Sequence, residues 1–395
     1  MIPYEKAFSI VMAQARRTSA TETCALTDAV GRILAEDIVA SRDIPPFDRV
    51  AVDGYACRRA DIGDELEIAG ILAAGHEPVG AVSAGRCIKV MTGAILPAGA
   101  DMVFMVEDAR ESSDGRRVRF TGDERASRRT NYAPRGEDRK KGAVVLGNGT
   151  RIAARHITIL ASLGLAQVPV RVRPLVGVLA TGDELVEPGA DPLPHQIMNS
   201  NAYQLMAQLR DCGVLSRYFG IVKDDRESLT RAIGEARDAC DLIILSGGVS
   251  AGDFDLVPQA FAANGYATLF DRVAIKPGKP TTFAVAGERA LFGLPGNPVS
   301  VFITFELLVR PFLSVLTGAP FEPRIWRLPL GEATKRADAE RDTMVLVRLA
   351  EGQVFPIPNN GSGDYTTLAA ADGLIRLPAG SPPLTKGTPV DVRSF

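Results

Sequence analysis

Residues 241–255 read DLIILSGGVSAGDFD. The four aliphatic residues Leu242–Leu245 are too short a run for a helix, and two glycines end them. That pattern predicts a strand buried on both faces, as in the middle of a parallel sheet. The segment after the strand is chemically mixed. Gly247 and Gly248 let bare backbone approach a planar or phosphorylated group, whereas the aspartates at 253 and 255 repel a phosphate. A phosphorylated ligand that carries a divalent cation satisfies both, because hard oxygen donors suit Mg²⁺ with retained waters.

Working outward, aliphatic runs alternate with helical patterns from 174 to 317, the rhythm of a mostly parallel sheet with helices on both faces. In such sheets ligands bind beyond the carboxyl ends of the strands. The residues after each run are polar or glycine-rich: TGDEL (181–185), KDD (223–225), SGGVSAGDFD (246–255), KPGKP (276–280) and PGNPVS (295–300). Each has a plain structural reading as a helix cap or a turn. Together they predict one site at one sheet edge, with Thr181, Gly182, Ser246, Gly247, Gly248, Pro295, Gly296 and Asn297 against the ligand. Lys276 and Lys279 supply positive charge, and Glu184, Asp224, Asp225 and Asp255 supply metal ligands. Neither GxGxxG nor GxxxxGK[ST] occurs, so the usual nicotinamide and Walker-type loops are missing.

The flanks read differently. Residues 1–40 carry two apolar-periodic stretches and predict helices, and SRDIPPFDRVAVDGY leads into short alternating runs between 60 and 145 that predict a β-rich domain. A helical pattern returns at 142–172 and ends in VPVRVRP, read as a basic linker. Residues 318–395 predict a compact β-barrel. The expected organisation is therefore a multidomain α/β protein. It has a split N-terminal domain (1–45 plus 140–172), an inserted β-rich domain (46–139), an α/β domain (173–317) and a C-terminal β-barrel (318–395).

Lys+Arg (45) nearly balances Asp+Glu (47), so no overall field draws the chain to nucleic acid or an anionic membrane. Five scattered cysteines without CxxC spacing and three scattered histidines fit reduced thiols in a cytoplasmic protein and give no zinc constellation. MIPYEKAFSI lacks the apolar core of a signal peptide. The long apolar segment at 299–316 is broken by Glu306, Arg310 and Pro311 and reads as a buried helix rather than a membrane span.

PPFDRVAVDGYA (45–56), KVMTGAILPAGADMV (89–103), PRGED (134–138), ATGDELVEPG (180–189), NSN (199–201), SGGVSAGDFD, IKPGKP (275–280) and LPGNPVS (294–300) closely resemble the molybdopterin molybdenumtransferase family, relatives of the C-terminal region of gephyrin. The resemblance runs almost end to end and implies that the 173–317 domain binds molybdopterin. It implies molybdate insertion into adenylylated molybdopterin with Mg²⁺-dependent release of AMP, in a cytoplasmic homodimer. A molybdopterin adenylyltransferase and molybdoenzyme acceptors are the implied partners. It adds Asp53, Thr92 and Asp138 to the catalytic set with Glu184, Asp255, Lys276 and Lys279. It also suggests Arg348 and Thr366 on the molybdate side. Two departures stand out. Arg49-Val50-Ala51-Val52 replaces the family's usual Asn-Ser-Ala-Met and puts a cation near Asp53, and Thr366-Thr367 stand where serines are common. Other readings stay open at this point: the adenylyltransferase that the α/β domain alone resembles, an idle scaffold or cofactor carrier, and an insertase for tungstate.

Overall fold

The DLIIL run becomes the strand Leu242–Ser246, every residue of it buried. Alternate side chains of a strand point to opposite faces. Leu242 and Ile244 pack with Val176, Val178, Leu205 and Phe292, while Ile243 and Leu245 pack with Leu229, Ile233, Phe261 and Leu291. Burying each such side chain contributes about 1.5–3 kcal/mol. The computed structural model describes residues 1–78, 80–248 and 256–395.

Around this strand a six-stranded sheet runs in the order Leu215–Val222, Leu175–Thr181, Leu242–Ser246, Arg289–Leu294, Thr282–Ala286, Ala267–Phe270. The first four are parallel, and Thr282–Ala286 is antiparallel to both of its neighbours. Helices Asn201–Asp211, Arg226–Ala239 and Leu256–Ala263 fill the connections.

The run ahead of KPGKP, RVAI (272–275), was expected to be another strand of this sheet, and it is not. Ile275–Lys276 instead pairs in parallel with Asp342 and Thr343 in the C-terminal sheet. The KPGKP turn still reaches the shared edge by another route. It precedes Thr282–Ala286, and Thr282 lies opposite Gly293, next to the carboxyl end of Arg289–Leu294. An antiparallel strand presents its start where its parallel neighbours present their ends.

The C-terminal sheet orders Ile275–Lys276, Asp342–Ala350, Gly373–Leu377, Pro389–Ser394 and Ile325–Pro329, with Gln353–Pro356 pairing on Asp342–Ala350. A bridge between Leu330 and Val354, with Gly331 N–H donating to the Val354 carbonyl at 2.8 Å, draws the two ends together into a barrel-like closure. Leu330, Val347, Val354, Ile375 and Val392 fill its interior.

Helix Pro298–Thr317 is long and apolar enough to cross a membrane, yet 72% of its apolar stretch is buried inside the protein. Its middle turn, Phe305–Val309, is a π-helix. Pro311 provides no N–H and its ring crowds the preceding turn, which the wider π geometry accommodates. The π turn carries the buried Glu306. Its carboxylate accepts from Arg310 Nε at 2.5 Å, Arg310 Nη2 at 2.8 Å and Gln208 Nε2 at 2.8 Å.

The N-terminal segment departs from the helical expectation. Tyr4–Gln14 is a helix, but Thr21–Ala25 is a strand and Leu26–Asp28 a single 3₁₀ turn. Its partner is Gln167–Arg171, the segment read as a linker, in an antiparallel pair. Both belong to a unit made of Met1–Ala35, Gly149–Ala154 and Gln167–Phe395. The other unit comprises Glu36–Asn148 and Arg155–Ala166. Its six-stranded sheet orders Met102–Met105, Gly54–Cys57, Arg86–Val90, Glu65–Leu72, Arg117–Phe120 and Ala109–Glu111. Tyr55 and Phe104 face one core, Ala56 and Val103 the other.

Replacing Glu306 by Ala leaves the Arg310 cation, largely buried, without its partner. We expect a loss of about 3 kcal/mol, read as a lower urea midpoint by far-UV circular dichroism. A loss below about 0.5 kcal/mol contradicts a structural role for the pair.

Candidate functional site

The glycine turn is where the sheet edge becomes a site. Gly247 has φ 96°, and a Cβ added there would lie 2.1 Å from the Thr181 carbonyl oxygen. Only glycine permits that approach. Ser246 and Thr181 are buried beneath it. Asn201 of the NSN segment clasps the turn, its Nδ2 donating to Ser246 Oγ at 2.9 Å and to the Gly296 carbonyl at 2.6 Å. Asn201 was not among the expected site residues. Its signal was the NSN segment itself, placed just before a helix that follows a strand exit.

Acids collect on one side of the turn. Asp224 accepts a hydrogen bond from Thr181 Oγ1, and its Oδ1 lies 3.6 Å from where a Cβ on Gly248 would stand. Glu184 folds back over Gly182, its Oε2 2.6 Å from the corresponding position there. Asp225 is used differently. It is the N-cap of Arg226–Ala239, accepting from Ser228 N–H at 2.7 Å, and that backbone bond holds its carboxyl below the usual range. Of the two adjacent aspartates, Asp224 is therefore the one directed at the turn. Asp255 and its neighbour Asp253 lie outside the described residues. Among the described residues no three His, Cys, Asp or Glu side chains form a metal cluster. Two carboxylates beside bare backbone nevertheless fit Mg²⁺, which binds through one or two carboxylates and keeps waters and substrate phosphates as its other ligands.

Cations collect on the other side, in a cleft of about 860 Å³ between the α/β sheet and the C-terminal sheet. Lys276 and Lys279 line it, with Pro295, Gly296 and Asn297. The KPGKP turn is pressed onto the long helix: a Cβ on Gly278, at φ 112°, would lie 2.6 Å from Thr304 Cγ2. Lys279 is exposed and makes no ion pair among the described residues, whereas Lys276 Nζ lies 3.3 Å from Asp338 Oδ2. Loops of the C-terminal region contribute Lys335, Arg336, Arg341, Ser362 and one carboxylate, Glu332, to the walls, over an apolar floor that includes Val299, Ile303 and Met344. Ser362 also meets the start of the long helix, its Oγ accepting from Asn297 Nδ2 at 2.8 Å and its carbonyl from Val299 N–H at 3.3 Å.

In the other unit, VDGYA and MTGA meet. Asp53 Oδ1 accepts from Thr92 N–H and from Thr92 Oγ1, both at 2.7 Å. The backbone bond first and the hydroxyl second hold the Asp53 carboxyl below its ordinary range. Arg49 is the exposed residue of the strand Arg49–Val50, lies opposite Ala133 and forms no ion pair with Asp53. Asp138 is exposed, its N–H bound to the Ile44 carbonyl at 3.0 Å, and it bonds to neither Asp53 nor Thr92.

Family models match the chain over nearly its whole length: the MoeA N-terminal region (domain I and II) at residues 2–164, the probable molybdopterin binding domain at 177–315, and the MoeA C-terminal region (domain IV) at 328–395. A Bacillus subtilis (strain 168) protein named molybdopterin molybdenumtransferase is 35% identical over 384 residues, 94% of this chain and 89% of its own. The chain belongs to the molybdopterin molybdenumtransferase family. A Staphylococcus aureus (strain Mu50) protein of the same name is 35% identical over 402 residues, 99% of this chain and 95% of its own. A crystal structure of the molybdopterin biosynthesis moeA protein of Pyrococcus horikoshii OT3 superposes with a TM-score of 0.87 at 30% identity, covering all of both chains.

Arg348 and Thr366, expected on the molybdate side, are not among the residues that line this cleft. Arg348 is exposed and stacks on Phe355 with its guanidinium carbon 5.0 Å from the ring centroid. On its strand the cleft is lined by Thr343, Met344, Val345 and Leu346, and Arg348 lies beyond that stretch. Thr366 is exposed and donates to Asp364 Oδ1 at 2.5 Å. Arg341 and Ser362 occupy the walls instead. The first stands in the mixed-charge stretch KRADAERD (335–342) just ahead of a strand, the second in the NNGSGD turn.

Gly247→Ala is expected to lower the melting temperature and to cost at least about 1–3 kcal/mol, because the new methyl collides with the Thr181 carbonyl. Gly63→Ala, where no atom lies within 4 Å, is the matched control. Equal melting curves for the two variants contradict the close approach.

Proposed function

We propose that the chain inserts molybdate into adenylylated molybdopterin and releases AMP, working in the cytoplasm as a homodimer. The observation that carries this reading is the division of the site by the Gly247 turn, with carboxylates on one side and positive charge on the other. Family membership supports molybdenum cofactor biosynthesis as the setting. The five cysteines are all free thiols, which suits a reducing compartment.

The residues divide the work by charge. Lys279, Lys276 and Arg341 attract and orient the anionic groups of molybdate and substrate, each charge-assisted hydrogen bond contributing about 1.5–3 kcal/mol. Gly247, Gly248 and Gly296 bring bare backbone to the substrate, and Asn201 keeps their two turns in register. Glu184 and Asp224 hold Mg²⁺, with Thr181 fixing Asp224, and Asp255 remains a proposed ligand. With these residues holding it, Mg²⁺ would supply charge neutralisation at the phosphates. Asp53, oriented by Thr92, and Asp138 are proposed to complete the catalytic set. A molybdopterin adenylyltransferase would supply the substrate, and molybdoenzymes would accept the product.

The test is AMP release from adenylylated molybdopterin with molybdate and Mg²⁺, omitting each in turn. Release that needs both, with formation of active cofactor, is the expected result. Tight binding without release supports a carrier instead. Two substitutions sharpen it. Lys279→Ala is expected to raise the KM for molybdate about tenfold with an unchanged melting temperature. Asp225→Ala is expected to cost about 1 kcal/mol of stability while keeping the Mg²⁺ dependence of the parent, whereas Asp224→Ala shifts that dependence to higher Mg²⁺. The opposite pattern for the two aspartates overturns the assignment.

A further inference from the structure

We propose that Asp338 is a positioning residue that fastens Lys276 and Arg341 together as a paired anion clamp on the wall of the cleft. The inference deepens the reading above and rests on it. Lys276 and Arg341 both line the cleft, and they come from segments far apart in the chain. Asp338 receives donors from both. Its Oδ2 accepts from Arg341 Nη2 at 2.8 Å and from Lys276 Nζ at 3.3 Å. Its Oδ1 accepts from the backbone N–H groups of Glu340 at 3.1 Å and Arg341 at 3.2 Å, and from Arg341 Nε at 3.4 Å.

The carboxylate is itself firmly held. Its residue donates N–H to Thr343 Oγ1 at 2.9 Å and accepts Gly380 N–H on its carbonyl at 2.7 Å, and the side chain is 17% exposed. The guanidinium of Arg341 first, and the Glu340 N–H second, keep the Asp338 carboxyl well below the ordinary carboxylate range, so it is anionic at any working pH.

Donor counting shows what the clamp leaves over. Lysine has three N–H donors and arginine five. Asp338 takes one from Lys276 and, through Nε and Nη2, two from Arg341, so both cations keep donors free for a second anion. Two cations and one carboxylate also leave a net positive charge, to which Lys279 adds. A free lysine side chain would lose rotamer entropy on gripping a dianion. Here part of that ordering is complete before molybdate arrives.

The opposite role is also chemically coherent: a carboxylate that occupies the cations and competes with the incoming anion. The two roles differ in sign. In the clamp, Asp338→Ala raises the KM for molybdate about tenfold, with kcat within about twofold, and weakens calorimetric binding of molybdate by a similar factor. Asp338→Glu recovers part of the loss. The double variant Lys276→Ala/Asp338→Ala is no more impaired than the two shared contacts allow, so the effects are less than additive. Asp338→Asn, which keeps the shape, carries the same test if the alanine variant melts early. An unchanged KM, a lower KM or strictly additive effects overturn the clamp. A wild-type chain that binds molybdate but releases no AMP sinks only the insertase reading, and calorimetry on the same variants still decides the clamp. A wild-type chain that binds no molybdate overturns both.

Discussion

The contact between the bare Cα of Gly247 and the carbonyl oxygen of Thr181 is the constraint on which the site depends. It joins the ends of two neighbouring parallel strands with no side chain between them. Asp224 is reached through the Thr181 hydroxyl on one side, and Gly296 and the cationic cleft through the Gly247 backbone on the other. Asn201 spans the same junction from the adjacent helix. Carboxylates and cations can therefore share one sheet edge without neutralising each other. The turn that separates them costs no more space than a peptide group.

Such an arrangement needs a scaffold that does not yield, and the sheet provides one. Its central strand is buried along its whole length and is paired in parallel on both edges, with Leu175–Thr181 and with Arg289–Leu294. The long helix behind it is tied to helix Asn201–Asp211 through Glu306 and Gln208, and the KPGKP turn rests directly on the long helix. With a formal net charge of only −2, the chain relies on this placement of charge rather than on any overall field.

Much of this was legible in the sequence, for identifiable reasons. Buried parallel strands advertise themselves as aliphatic runs, and glycines and charges that cannot sit inside a sheet accumulate where it ends. The misreadings share a cause. Thr21–Ala25 is a strand only because Gln167–Arg171 pairs with it from far along the chain. Ile275–Lys276 belongs to the C-terminal sheet only because Asp342 and Thr343 lie beside it. Local periodicity carries no record of such pairings. Arg348 lies further along its strand than the stretch Thr343–Leu346 that lines the cleft, a distance that local pattern does not record. The choice between Asp224 and Asp225 was closed to the sequence because each is followed by a plausible helix start. The hydrogen bonds separate them, Asp225 accepting from Ser228 N–H and Asp224 from Thr181 Oγ1.

The short strand Ile275–Lys276 has a mechanical consequence. Lys276 is laddered to the C-terminal sheet by its own backbone, while three residues later the same turn carries Lys279 on the α/β side. A movement that parted the two sheets would strain this ladder before it widened the opening. Only Pro277 and Gly278 separate the two lysines, so the spacing of their charges is tied to the short, stiff turn that bridges the two sheets.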